Sequence, residues 1–403
     1  MKTRKLTQDL YWTGIIDRDL RVFDIIMYTE YGTTYNSYIL KTKGHTILFE
    51  TAKAKFFDDY LNELKEITDV KDIDYIVISH TEPDHSGSVE KLLEINPDIK
   101  IIATQTAINF LKEIVNHDID AIAIKDGLEM TFDDKTLKFF FVPNLHWPDT
   151  MYTYIKEEGV LMTCDSFGAH YATEDILLSK VEDHESYMKA SKYYFDNILG
   201  PFKPYMLKAL DKIEGLDIKM ICTGHGPIID TDIETMMKIY REWSTVEKLD
   251  KKLVVIPYVS AYGYTKELAE IIAEGIKDSG DITVKLYDMV TADKKEVEAD
   301  LLRCDGFLLG SPTILNDALA PIYEVTLSMY PPTHSGKIAS AFGSYGWSGE
   351  AVSNLLARLK QLRMVINDEG FKVKFKPNVS DLKKAREFGY HFGLNILNRD
   401  CKI

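Results

Sequence analysis

Ile73-Asp-Tyr-Ile-Val-Ile-Ser79-His80-Thr-Glu82-Pro-Asp84-His85 is the stretch on which the first half of this chain turns. Its β-branched beginning reads as a short buried strand. Four potential metal ligands then crowd into six residues stiffened by Pro83, a density that packing does not require. Further strand-like runs at 101–104, 138–142, 160–163 and 220–223 follow. After the last three come Asn144-Leu-His146-Trp-Pro-Asp149, Thr163-Cys-Asp165-Ser166 and Thr223-Gly-His225-Gly-Pro227. Each sets a His or Asp just past a strand, where loops carry function on a rigid scaffold. One such His is ordinarily a capping or hydrogen-bonding residue. The recurrence of His80, His85, His146 and His225 with Glu82, Asp84 and Asp165 reads instead as a metal site. His45, His117, His170, His184, His334 and His391 lack such company and read as structural or surface residues.

Beyond the polar junction Glu247-Lys-Leu-Asp-Lys-Lys252 the pattern changes. Strand-like runs at 253–258, 283–286, 306–310, 338–342 and 371–375 alternate with helical periodicity at 266–277, 294–302, 348–362 and 382–397. Regular alternation implies a parallel, doubly wound sheet. The expected domains are therefore 1–250 and 251–403. Three loops follow the first, third and fourth of these strands. They hold Ser260, Ala261, Tyr262, Gly263, Tyr264 and Thr265; then Ser311, Pro312, Thr313, Ile314 and Asn316; then Ser344, Tyr345, Gly346, Trp347, Ser348 and Gly349. Small and hydroxylic residues before a helix suit a phosphate, because backbone N–H groups and the helix dipole both favour an anion there. The same residues also make an ordinary N-cap; the convergence of three loops at strand ends is what points to a ligand. No G-x-G-x-x-G with a following acid indicates a dinucleotide.

Bulk properties bound the rest. At 403 residues the chain is too long for one ordinary core. A net charge of −15 argues against nucleic acid as the main partner. No apolar run approaches a membrane span and the first residues carry no signal-peptide core. Cys164, Cys222, Cys304 and Cys401 form no C-x-x-C pair, so neither a zinc ribbon nor a rubredoxin module is encoded. A reducing cytoplasm is the expected location.

The order His, Asp, His after H-x-[HE]-x-D-H resembles the metallo-β-lactamase superfamily. Glu82 stands where the usual second His would be. A carboxylate hardens the site and moves its preference from zinc toward iron. H-x-E-x-D-H is the pattern of the flavodiiron proteins, and the second half resembles flavodoxin, so the resemblance covers essentially the whole chain. It implies an α/β architecture: a metallo-β-lactamase-like αββα sandwich followed by a flavodoxin-like doubly wound sheet. It implies FMN and two iron ions. His80, Glu82 and His146 would hold one iron, Asp84, His85 and His225 the other, and Asp165 would bridge them. In some members the counterpart of His85 does not ligate. Many members have a His after the Phe matching Phe23; here it is Asp24, which would lie near the metals. Tyr193 or Tyr194 would supply a phenol beside the ligands, or the two would be a packed aromatic pair. Trp347 or Tyr345 would stack on the flavin ring.

The implied activity is reduction of dioxygen to water, with nitric oxide as a further substrate. Electrons would come from an external donor such as rubredoxin or a reduced deazaflavin coenzyme, since Cys401 has no partner at rubredoxin spacing. A head-to-tail homodimer, or a dimer of dimers, is implied as well. Three rival readings are a dizinc hydrolase fused to flavodoxin, a non-catalytic electron carrier, and a dedicated nitric oxide reductase or deazaflavin oxidase.

Overall fold

The computed structural model describes residues 4–399, so Cys401 lies outside the described residues. The chain divides into two compact units, 1–245 and 246–403.

The first unit stacks two sheets. One has seven strands in the order Arg4–Lys5, Leu10–Asp17, Thr33–Lys41, Thr46–Phe49, Tyr75–Val77, Lys100–Ala103 and Ala121–Ala123. The other has five: Glu129–Phe132, Lys135–Phe141, Met151–Ile155, Val160–Cys164 and Met220–Thr223. Side chains alternate faces along a strand, and the buried residues follow that period. Ile47, Phe49, Val77 and Ile102 meet Leu137, Phe139, Met162 and Cys222 between the sheets. Their neighbours Leu48, Ile76 and Ile101 face outward onto helix residues such as Tyr60, Leu64, Leu92 and Leu111. On the second sheet, Leu161 and Ile221 do the same against Met206, Leu210 and Tyr240. The result is an αββα sandwich whose central strands, such as Thr46–Phe49, Val160–Cys164 and Met220–Thr223, are buried on both faces.

The second unit is a five-stranded parallel sheet in the order Ile282–Asp288, Lys252–Tyr258, Gly306–Gly310, Ile338–Tyr345 and Phe371–Lys374. Val255, Phe307 and Ala339 pack under the helices Lys294–Arg303 and Glu350–Gln361. Val254, Ile256 and Leu308 pack under Tyr264–Asp278 and Val379–Leu397 on the opposite face. Those last two helices touch through glycine. A Cβ on Gly275 would sit 2.0 Å from the Arg386 carbonyl, and one on Gly389 2.1 Å from that of Ile272. The sequence pattern did not separate out the helix Ala320–Leu327; Pro321 in its first turn reads equally as a loop signal.

Candidate metal centre and flavin pocket

In the first unit the motif loops meet at one edge of the sandwich. Ile78 continues the pairing of its strand and Ser79 hands the chain to His80. Pro83 opens a single helical turn, Pro83–Ser86, that turns Asp84 and His85 inward. His225 arrives just after Met220–Thr223. Asn36 ties that loop to the first sheet, donating from Nδ2 to the carbonyls of Thr223 (3.0 Å) and Gly226 (2.9 Å).

All seven expected ligands converge. Glu82 Oε2 lies 3.2 Å from His80 Nε2 and 2.9 Å from His146 Nε2. Asp84 Oδ2 lies 3.1 Å from His225 Nε2, and Asp84 Oδ1 3.5 Å from His85 Nε2. Asp165 joins the two groups through different oxygens. Its Oδ2 is 3.5 and 3.3 Å from His80 and His146. Its Oδ1 is 3.0 and 3.5 Å from His85 and His225. Two neighbouring ligand sets sharing one carboxylate is the layout of a dinuclear site.

The electrostatics fit cations. Burial alone would raise the carboxyl of Asp165, yet the imidazoles of His85, His146 and His80 hold it well below the usual range. Asp84 is lowered likewise against its burial by His85 and His225. Burial would lower His80, but Asp149 and Glu82 push it up to about 9. His146 rises to about 10 against its burial through Asp165 and Glu82. Neither oxygen of Asp84 nor Oδ2 of Asp165 accepts a well-directed hydrogen bond, although all three are buried. Buried anionic oxygens without donors are costly unless a cation serves them. The donor set, four imidazoles and three carboxylates with no thiolate among them, suits iron.

Outer contacts fix the rings. His80 Nδ1 lies 3.3 Å from Asp149 Oδ1, while Asp149 Oδ2 accepts from Thr81 N and Oγ1 at 2.8 and 2.7 Å. His225 Nδ1 donates to the Thr34 carbonyl at 2.6 Å. The site is closed at His80, His85 and His225 and more open at Glu82 and His146. Asp24 stands on that open side, in a left-handed turn (φ 47°). Partial burial, with the charge of Glu82 and a hydrogen bond to it, pushes Asp24 up to about 6.

The adjacent tyrosines separate. Tyr194 is fully buried and donates to Asp165 Oδ1 at 3.1 Å. Tyr193 is 41 % exposed, so the expectation of a packed pair is corrected, and Tyr193 is not the phenol beside the ligands. A π-helical turn, Phe195–Leu199, follows Tyr194. Reading His170 as structural or surface missed its setting. It is buried, 2.9 Å from Thr33 Oγ1, and its ring centroid lies 5.3 Å from that of His225. Burial and then His225 hold it well below its ordinary value, so it is a neutral ring.

In the second unit the three loops converge at the C-terminal strand ends. They line a pocket of about 220 Å³ with Tyr262, Tyr264, Pro312, Thr313 and Ile314 on one part of its wall. Ser344, Tyr345, Gly346 and Trp347 line the rest, together with Phe375, which the sequence pattern did not single out. Thr265 and Ser344 share a hydroxyl hydrogen bond of 2.9 Å. Ser260 Oγ accepts from Lys266 N, and Asn316 donates to Glu350. Ser311 serves the loop itself, accepting from Leu319 N at 2.9 Å. Ala261, Ser348 and Gly349 flank the pocket in sequence without lining it. Gly263 (φ 84°) opens the 15-residue helix Tyr264–Asp278, and a Cβ there would meet nothing within 4 Å. That space before free helix amides suits a phosphate. Trp347 and Tyr262, 84 % and 82 % exposed, offer bare aromatic faces to a flat ring.

Fold and site together define a flavoprotein coupled to a dinuclear metal centre. Residues 33–226 match the ODP family beta lactamase model and residues 256–389 the flavodoxin model. The chain is 40 % identical to the flavo-diiron protein FprA2 of Clostridium acetobutylicum over 98 % of its own length and 100 % of that protein's. It is 34 % identical to the nitric oxide reductase of Moorella thermoacetica, covering 97 % and 98 %. Among solved structures it is similar to rubredoxin oxygen:oxidoreductase from Desulfovibrio gigas, with 28 % identity, TM-score 0.68 and coverage of 98 % and 99 %. The flavodiiron protein of Giardia intestinalis aligns at 28 % identity and TM-score 0.66, covering 98 % and 97 %. The chain belongs to the flavodiiron proteins. It is an oxidoreductase that reduces dioxygen or nitric oxide at a diiron centre with electrons passed through FMN.

Proposed function

We propose that the protein reduces dioxygen to water, and nitric oxide to nitrous oxide, with one iron on His80, Glu82 and His146, the other on Asp84, His85 and His225, and Asp165 between them. The observation that carries this reading is the division of Asp165, one oxygen toward each ligand set. When bound, reduced FMN supplies two electrons and two ferrous ions supply two more, the four that dioxygen needs.

The chain's own groups do the rest. Asp149 and Thr34 orient two of the imidazoles. Tyr194, its phenol raised well above the ordinary value by burial and Asp165, stays protonated and donates to the shared carboxylate. Substrate reaches the cluster on the Glu82 and His146 side, past Asp24. The loops 260–265, 311–316 and 344–349 would hold FMN, the free amides at the start of Tyr264–Asp278 suiting its phosphate and the exposed face of Trp347 its ring.

The electron donor is external, a rubredoxin or a reduced deazaflavin coenzyme. The working form is a head-to-tail homodimer or a dimer of these, in the cytoplasm; among the described residues no helix is long and apolar enough to cross a membrane. Exposed Ile25 and Ile26, 93 % and 79 % accessible beside Asp24, support a covering partner there. Steady-state rates with each gas, one reduced donor and defined metal content test the reading. Full activity with two zincs and no iron would reject it in favour of a hydrolase-type centre.

A further inference from the structure

We propose that Glu50 is the positioning residue that makes His85 a metal ligand in this protein. The inference rests on the diiron reading above and concerns one histidine within it.

Glu50 follows the strand Thr46–Phe49, and Cys164 closes the strand Val160–Cys164. Both are buried and both hold left-handed backbone, φ 55° and 51°, a conformation that residues with a Cβ rarely adopt. The two strained turns aim at the same ring: a carboxylate oxygen of Glu50, a nitrogen of His85 and Cys164 Sγ all lie within 4.8 Å of one another. His85 Nε2 already faces Asp165 and Asp84 at 3.0 and 3.5 Å. The nitrogen that remains for Glu50 and Cys164 is Nδ1.

The bonding inventory is complementary. Glu50 Oε1 accepts from Ser79 N at 2.8 Å. Glu50 Oε2 and His85 Nδ1 are both buried without a hydrogen bond of good geometry, the Ser79 hydroxyl also standing beside Glu50 and Cys164 Sγ beside the ring. Of the two acceptors near that N–H, a carboxylate is much stronger than a thiol. An Nδ1–H held by Glu50 leaves the Nε2 lone pair pointing at the shared carboxylate, where a metal sits. His80 has Asp149 in this role and His225 has the Thr34 carbonyl; Glu50 completes the series for His85. Gly224 makes room for the ring, since a Cβ there would stand 2.7 Å from His85 Cε1.

The test uses full-length protein loaded with iron-57, assayed for iron per chain, FMN per chain and its Mössbauer spectrum. Wild type must first show two irons; failure at this stage rejects the diiron reading rather than the role of Glu50. Glu50→Gln keeps the shape and an oxygen for Ser79 N–H, but turns an NH2 toward His85 and forces the ring proton onto Nε2. Iron should fall from two per chain toward one, with one quadrupole doublet lost and FMN unchanged. Glu50→Asp, which keeps the carboxylate but withdraws it from the ring by one methylene, should give the same partial loss and decides the matter if the Gln variant does not fold. Two irons with an unaltered spectrum, or equal loss of both irons, would overturn the proposal.

Discussion

The hydroxyl of Tyr194 donates to Oδ1 of Asp165 at 3.1 Å, and Gly168 leaves the room for it: a Cβ at that position would lie 3.2 Å from the same hydroxyl. Asp165 faces both ligand sets, so this phenol stabilises the carboxylate on which both depend. A hydrogen bond to a charged acceptor contributes about 1.5–3 kcal/mol. Tyr194→Phe should keep two irons and FMN while lowering turnover roughly tenfold, the size of about 1.4 kcal/mol in a barrier. Gly168→Ala should reproduce the effect. Metal analysis beside stopped-flow rates checks both, and an unchanged rate would remove Tyr194 from the mechanism.

Asp149 holds His80 from behind and is itself anchored by Thr81. Loss of such an outer carboxylate costs about 10–100-fold in metal affinity. Asp149→Ala should show that loss in a competitive chelator titration, with the flavin spectrum unchanged. Retained affinity would show that His80 needs no such anchor.

Much of this centre was legible in the sequence and some of it was not, for physical reasons. The run His80 to His85 is local: one strand end and one helical turn place four donors, so spacing alone exposes them. His146, Asp165 and His225 were legible because each stands just past an apolar run. Glu50, Asp149 and His170 acquire meaning only when distant strands close on one another. Glu50 looks like any acid after a strand, and His170 follows Asp165 by five residues with no strand end or Pro-stiffened turn to mark it. The choice between Tyr193 and Tyr194 depends on the phase of a helix that ends in a π turn, which no periodicity predicts. Phe375 reaches the flavin pocket from just past the last strand, Phe371–Lys374, outside the three glycine-rich loops.

Trp347 is 84 % exposed on the pocket wall, and an aromatic face of this kind contributes about 0.5–1.5 kcal/mol when a ring stacks on it. Trp347→Ala should weaken FMN binding by roughly two- to tenfold and leave iron content unchanged. Fluorescence titration of the apoflavin protein measures it. Unchanged affinity would assign the stacking to Tyr345 or Tyr262.

The second unit should lose stability in mild acid. His334 is 5 % exposed, its Nδ1 accepts from Tyr330 N, and burial, then Lys337, lowers it from 6.5 to about 4. The folded state therefore prefers the neutral ring. Its full contribution is present above pH 6.5 and is lost as the pH falls toward 4, because the unfolded chain takes up the proton first. The loss is at most about 3 kcal/mol, at 1.36 kcal/mol per pH unit. Urea midpoints, read through flavin release, should fall over that window in wild type and fall less in His334→Gln. Parallel pH dependence in the two proteins would exclude His334 as the cause.

Four electrons stored in one chain's worth of FMN and two irons should go to one dioxygen. The direct measurement is an anaerobic titration of the fully reduced protein with dioxygen, following FMN absorbance, gas consumed and peroxide formed. About one dioxygen consumed per FMN–diiron set, with little peroxide, is the expected result by electron count. Consumption of about two per set, with hydrogen peroxide as the main product, would contradict it.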